Sequence, residues 1–186
     1  MQFTGRAAGK YEARLFFNDS YTLEKKVSFT VGSGPVDNCP NDPNKTEPGL
    51  CGCGVPEGTC GKTYQAESYT KQSGCTLDND HTGFTGTGFM DFGGSGTYVE
   101  WNNINVATAG SRVLTFRYAN GSANARKALI LVNGAAVGNV DFSPTGAWTN
   151  WKTAAITTSL IAGNNVIQVR ASTSSGGPNL DNMLVK

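Results

Sequence analysis

Val113-Leu114-Thr115-Phe116-Arg117-Tyr118 alternates apolar and polar side chains with the period of two that belongs to an extended strand. Leu114, Phe116 and Tyr118 fall on one side and Val113, Thr115 and Arg117 on the other, so one face enters a core and the other meets solvent or lines a shallow sheet surface. Runs of strand character surround this stretch at short spacing, over residues 98–106, 128–132, 137–142, 151–156, 165–171 and 182–185, with turn formers between nearly all of them. Asn133-Gly134 is the best hairpin signal, because both residues accept positive φ. A single sheet of this size would leave its apolar face wet. Residues 64–186 are therefore expected to be all-β, a two-sheet antiparallel β-sandwich of the jelly-roll kind.

The rest of the chain reads differently. Tyr11 to Phe17 and Leu23 to Val31 are strand-like and flank the turn formers Asn18-Asp19-Ser20, which predicts a hairpin within residues 1–31. A lone hairpin is marginal in water, so this one must dock on something or belong to a larger sandwich. Residues 32–63 show no periodicity and are rich in Gly, Pro, Asn, Asp and Cys, as a stapled linker would be. The wording of 11–21 resembles the last strands of an immunoglobulin-like or fibronectin-like domain. The phrase Asp37-Asn38-Cys39-Pro40-Asn41-Asp42 resembles one truncated thrombospondin type 3 calcium repeat, without the upstream acidic loop. Asp37 and Asp42 are accordingly a candidate site for a weakly held calcium ion or, equally, turn caps.

All five cysteines, Cys39, Cys51, Cys53, Cys60 and Cys75, fall in or beside this segment. A segment too short to bury a core is stapled covalently, and staples persist only in an oxidising compartment, so the chain is expected to be secreted. Cys39 with Cys51 and Cys60 with Cys75 are the expected pairs, with Cys53 to Cys60 in competition. Structural zinc is the rival reading, but the two-residue gap between paired ligands is missing.

Composition narrows the function. With 24 glycines and 16% charged residues among 186, the surface is built mainly of Asn, Thr, Ser and Gly, which suits hydroxyl-rich partners. A formal charge of +1 from scattered charges gives no field to gather nucleic acid, and no stretch is apolar enough for membrane insertion. His81 is the only histidine, and no nucleophile elbow or zinc-protease phrase occurs. Asp78, Asp80, Asp91, Glu100, Asp141 and Asp181 could serve a glycosidase only as a suitably spaced pair. No catalytic residue is assigned.

Six phrases in order complete the reading: Gln65-Ala66-Glu67-Ser68-Tyr69-Thr70, Gly86-Thr87-Gly88-Phe89-Met90-Asp91-Phe92, Arg117-Tyr118-Ala119-Asn120-Gly121, Val132-Asn133-Gly134, Thr145-Gly146-Ala147-Trp148-Thr149-Asn150-Trp151 and Asn179-Leu180-Asp181-Asn182. Together they resemble carbohydrate-binding modules of families 6 and 35 over nearly all of residues 64–186. The resemblance implies a cleft among the loops at one end of the sandwich, where Trp148 stacks on a sugar and Asn179 hydrogen-bonds it. Phe84 or Phe89 would form the opposite wall, with Phe84 the expected exposed platform in place of a commoner tyrosine, and His81 lies close by. It also implies a structural Ca2+ between Glu67 and Asp181, with Gln65 and backbone carbonyls completing the shell. Trp151, opening an alternating strand, is expected in the core, as is Phe89. The functional expectation is non-catalytic binding of a polysaccharide or oligosaccharide by one part of a larger multidomain chain. Adhesion or a matrix role is the alternative.

Overall fold

The computed structural model describes residues 9–16, 23–31, 37–47, 53–54 and 60–186. The chain divides into two compact units, Met1–Gly54 and Val55–Lys186. In the first, β1 (Gly9–Phe16) and β2 (Leu23–Val31) pair antiparallel from Gly9 opposite Val31 to Phe16 opposite Leu23. The hairpin is as predicted, and its turn lies outside the described residues. The Tyr11 and Phe29 rings stack at 6.0 Å between centroids.

Cys39 and Cys53 form a disulfide in the cysteine-rich turn. This corrects the expected Cys39–Cys51 pairing and also removes Cys53 from any bond to Cys60. The reason is local: Asp42 accepts the amide of Asn44 through Oδ1 and that of Gly54 through Oδ2, which draws Cys53 back over Cys39. Cys60 is also disulfide-bonded. Cys75 is a free, buried thiol, so the Cys60–Cys75 expectation is corrected as well. It sits opposite Phe92 inside the sandwich, and burial pushes its thiol up to about 12.

The second unit is a sandwich of two antiparallel sheets. One carries β10 (Ala135–Phe142), β9 (Arg126–Val132), β12 (Gly163–Ala171), β7 (Tyr98–Val106) and β4 (Lys71–Ser73), in that order. The other carries β11 (Trp151–Leu160), β8 (Gly110–Ala119), β13 (Asn179–Val185), β6 (Phe89–Phe92) and β5 (Cys75–Asp78), with β3 (Lys62–Gln65) also on β13. The alternation of residues 113–118 is realised in β8, where Leu114, Phe116 and Tyr118 are buried and Val113, Thr115 and Arg117 face outward. Asn133 and Gly134 both take positive φ and turn β9 into β10. Strands β3 to β6 are only three or four residues long, too short for a sustained periodic signal.

The core between the sheets is built on Trp101, Phe116, Phe142, Ile130 and Leu114. Trp101 and Ile104 are three apart, yet both point inward because one extra residue bulges from β7 opposite β12. The Trp101 indole donates to the Gln65 carbonyl at 2.9 Å, which satisfies the one polar atom the ring carries into the core. Trp151 is not part of this core. The inward residues of β11 are Ala154, Ile156 and Leu160, so Trp151 falls on the outer face at the opposite parity.

Candidate functional site

The loops joining the strands at one end of the sandwich enclose a cleft of about 340 Å³, lined by Trp148, Asn179, His81, Phe89, Asp78, Asp80, Asp91 and Arg126 together with Gly93, Gly94, Ser174 and Ser175. Trp148 is delivered by the segment between β10 and β11. That segment is anchored on Asn120, a fully buried amide that donates to the Phe142 and Asn124 carbonyls and accepts from Ser122. The Asn120 and Thr145 backbones are joined in turn, Thr145 N donating to Asn120 O and Asn120 N to Thr145 Oγ1. Gly121 is required because a Cβ there would stand 2.5 Å from the Trp148 ring. The half-buried indole lies with the Arg126 guanidinium 4.9 Å over it and His81 at 6.2 Å.

Asn179 opens β13, opposite Asp91 of β6 and Ala119 of β8. Only 4% of it is exposed, yet its amide makes no hydrogen bond among the described residues. Asp91 faces the same cleft. Enclosure raises its carboxyl above the ordinary range, and the Asp78 and Asp80 charges add to that while Arg126 and His81 oppose it. Arg126 donates to the Gly177 carbonyl at 2.8 Å, holding the 174–177 loop at the rim.

Phe84 is not among the residues that line the cleft. The carbonyls of Thr82 and Gly83 before it and the Thr85 amide after it are all pinned to the sheet, which leaves its ring packed on Phe89 at 5.9 Å. Phe89 is fully buried, but in a satellite cluster with His81, Phe84 and Trp151 rather than between the sheets, and it reaches the cleft. Sequence reasoning missed Arg126 as a lining residue and weighed Asp78, Asp80 and Asp91 only as catalytic acids.

Behind the cleft, Gln65, Glu67 and Asp181 converge on residues 85–87. Asp181, fully buried, accepts from the Thr85 amide at 2.8 Å and from Asn182, and it pairs with Arg117. Glu67 Oε1 accepts the Thr87 amide at 2.8 Å, while its Oε2 is buried with no partner among the described residues. Gly86 leaves room for this carboxylate, since a Cβ there would lie 2.0 Å from Glu67 Oε1. The donors are all oxygens, and the orphaned carboxylate oxygen fits a hard cation. The other predicted pair is committed elsewhere: Asp37 accepts the Cys39 amide at 2.7 Å and Asp42 the two amides already named. Among the described residues no three His, Cys, Asp or Glu side chains gather as metal ligands.

A sandwich whose end-loop cleft brings together one indole, one recessed amide and several charges has the make-up of a sugar-binding site. The family model for carbohydrate binding module (family 6) matches residues 65–184, and the chain belongs to that family. Among curated relatives, endo-1,4-beta-xylanase B of Cellvibrio japonicus is 45% identical over 113 residues, covering 59% of this chain and 19% of the xylanase. The chain thus spans about a fifth of that relative. Among solved structures, a family 35 carbohydrate binding module from Clostridium thermocellum is 42% identical with a TM-score of 0.65, covering 67% of this chain and 96% of that one. A second family 35 module, solved in complex with a glucuronic acid containing disaccharide, is 40% identical with a TM-score of 0.62 over 67% of this chain and 91% of its own. The fold expected from the six phrases is the fold observed, and the chain is a carbohydrate-binding domain related to modules of glycoside hydrolases.

Proposed function

We propose that the end-loop cleft takes one sugar unit of a polysaccharide, and that the domain thereby keeps an attached, secreted carbohydrate-active enzyme on its polymer. The observation that carries this is Asn179: a recessed side chain whose amide makes no hydrogen bond among the described residues and lines the same cleft as an accessible indole. Such an amide is free to pair with a sugar hydroxyl, which is both donor and acceptor. Trp148 covers the C–H face of the pyranose while Asn179 and Asp91 read its edge. Tethering raises the enzyme's local concentration on the polymer without any new contact. The domain is read as a binding module without a reaction of its own, in keeping with the carbohydrate binding module family it belongs to. The Cys39–Cys53 disulfide supports an oxidising, extracellular location.

A uronate-bearing sugar is the second reading, favoured by Arg126 in the cleft and by the disaccharide complex of the 40%-identical module. Asp78, Asp80 and Asp91 weigh against a bare carboxylate there. We also read Glu67, Asp181 and Gln65 as the seat of a structural calcium ion, which would tie the first strand of the sandwich to the last; Asp37 and Asp42, committed to backbone amides, are read as turn caps.

A glycan array of neutral and uronate-bearing polysaccharides, probed with the wild type and with Trp148→Ala, tests the cleft. The wild type should bind a subset, and the variant should lose about 2 kcal/mol or more of binding free energy while remaining folded. Equal binding by a folded Trp148→Ala would place the site elsewhere.

A further inference from the structure

The loop of residues 79–88 forms one wall of the cleft through Asp80 and His81, and four anchors hold it to the sandwich. The Trp151 indole donates to the Thr82 carbonyl at 2.9 Å, and Arg117 Nη2 donates to the Gly83 carbonyl at 2.7 Å. Further along, Asp181 accepts the Thr85 amide and Glu67 the Thr87 amide, each at 2.8 Å. Arg117 touches three of the participants at once: it pairs with the buried Asp181, bonds Gly83, and stacks 5.1 Å from the centre of the Trp151 ring. Gly83, at φ +97°, is pressed against that same ring, where a Cβ would lie 3.0 Å from the indole. From Trp151 the packing continues through Phe89 at 5.6 Å and His81 at 5.9 Å to Trp148 at 6.2 Å. Neither Arg117 nor Trp151 lines the cleft.

We propose that Arg117, together with Trp151, is a positioning residue for sugar binding: the pair clamps consecutive carbonyls of the 79–88 loop and so sets the His81 wall against Trp148. The planar guanidinium suits this because it can bond a carboxylate and a carbonyl in fixed directions while its face rests on an indole, which an ammonium cannot do. A wall seated only part of the time lowers the apparent affinity by the fraction of time it is seated. The proposal rests on the reading of the cleft as the sugar site.

The test uses Arg117→Lys, which keeps a cation beside Asp181 but loses the fork and the stack, and Trp151→Phe, which keeps a ring but loses the bond to Thr82. Both are compared with the wild type and Trp148→Ala, in calcium-containing buffer, on a glycan bound by the wild type in the array. Each clamp variant should melt close to the wild type, bind at least about tenfold more weakly, and show faster hydrogen exchange at the Thr85 and Thr87 amides. Should Arg117→Lys fail to fold, Trp151→Phe decides. Wild-type affinity in the clamp variants, beside a weakened Trp148→Ala, overturns the clamp and leaves the cleft reading standing. Undiminished binding by Trp148→Ala overturns both.

Discussion

Asp91 and Asn179 face each other across the β6–β13 pairing, and the chemistry of the cleft turns on that pair of short side chains. The Asp91 carboxyl is raised by enclosure, with Asp78 and Asp80 adding and Arg126 and His81 opposing. Its ionised form is therefore disfavoured in the folded state relative to the unfolded chain. That cost is fully present above the raised value, and it is gone below the unfolded value of about 3.9. Asp91→Asn should accordingly melt higher than the wild type at pH 7 and lose that advantage at pH 3, as thermal scans at the two pH values would show. A lower melting temperature at pH 7 would mean that the attraction of Arg126 outweighs burial and repulsion. Trp148 and Asn179 were legible as candidates because an indole in a Gly-containing turn and an amide after a Ser-Gly loop suggest exposed recognition, and the six phrases reinforced them. Arg126 was not legible: it opens a strand 22 residues before Trp148, and only the fold brings the two to 4.9 Å.

At the scale of elements, long alternating strands announced themselves and short ones did not. β7, β8 and β12 carry enough turns of the two-residue period to be read directly, whereas β4, of three residues, owes its place to the β7 edge it completes. The tryptophans illustrate the limit. Trp151 starts an alternating strand, but alternation alone cannot say which parity faces in, and Ala154, Ile156 and Leu160 settle it against Trp151. The ring that fills the core is Trp101, whose spacing to Ile104 breaks the period and makes sense only with the bulge. Trp101→Ala should cost about 3–5 kcal/mol of stability, a deleted core ring also leaving the Gln65 carbonyl without its donor. Urea unfolding of this variant beside the wild type measures it; a loss below about 1 kcal/mol would be the size of a surface change and would contradict the placement.

For the whole molecule, two features give the sandwich its closure: the core between the sheets, and the seam where Gln65 and Glu67 meet Asp181 over residues 85–87. The orphaned Glu67 oxygen is the weak point of that seam, and a bound calcium ion would stabilise the native state by mass action. Chelation should then lower the melting temperature of calcium-loaded protein, with calcium restoring it; a scan indifferent to both would remove the ion from the account. The disulfide clustering was legible as chemistry but not as connectivity, because the Asp42 bond that brings Cys53 to Cys39 is a three-dimensional fact. Whether sugar binds in the end-loop cleft is tested by titrating the 15N-labelled protein with a glycan it binds. Resonance shifts should centre on the Trp148 indole N–H, the Asn179 side-chain amide and the amides of residues 79–94. Shifts centred instead on Tyr98, Gln168 and Arg170 of the β7–β12 sheet, with Trp148 and Asn179 unmoved, would contradict it.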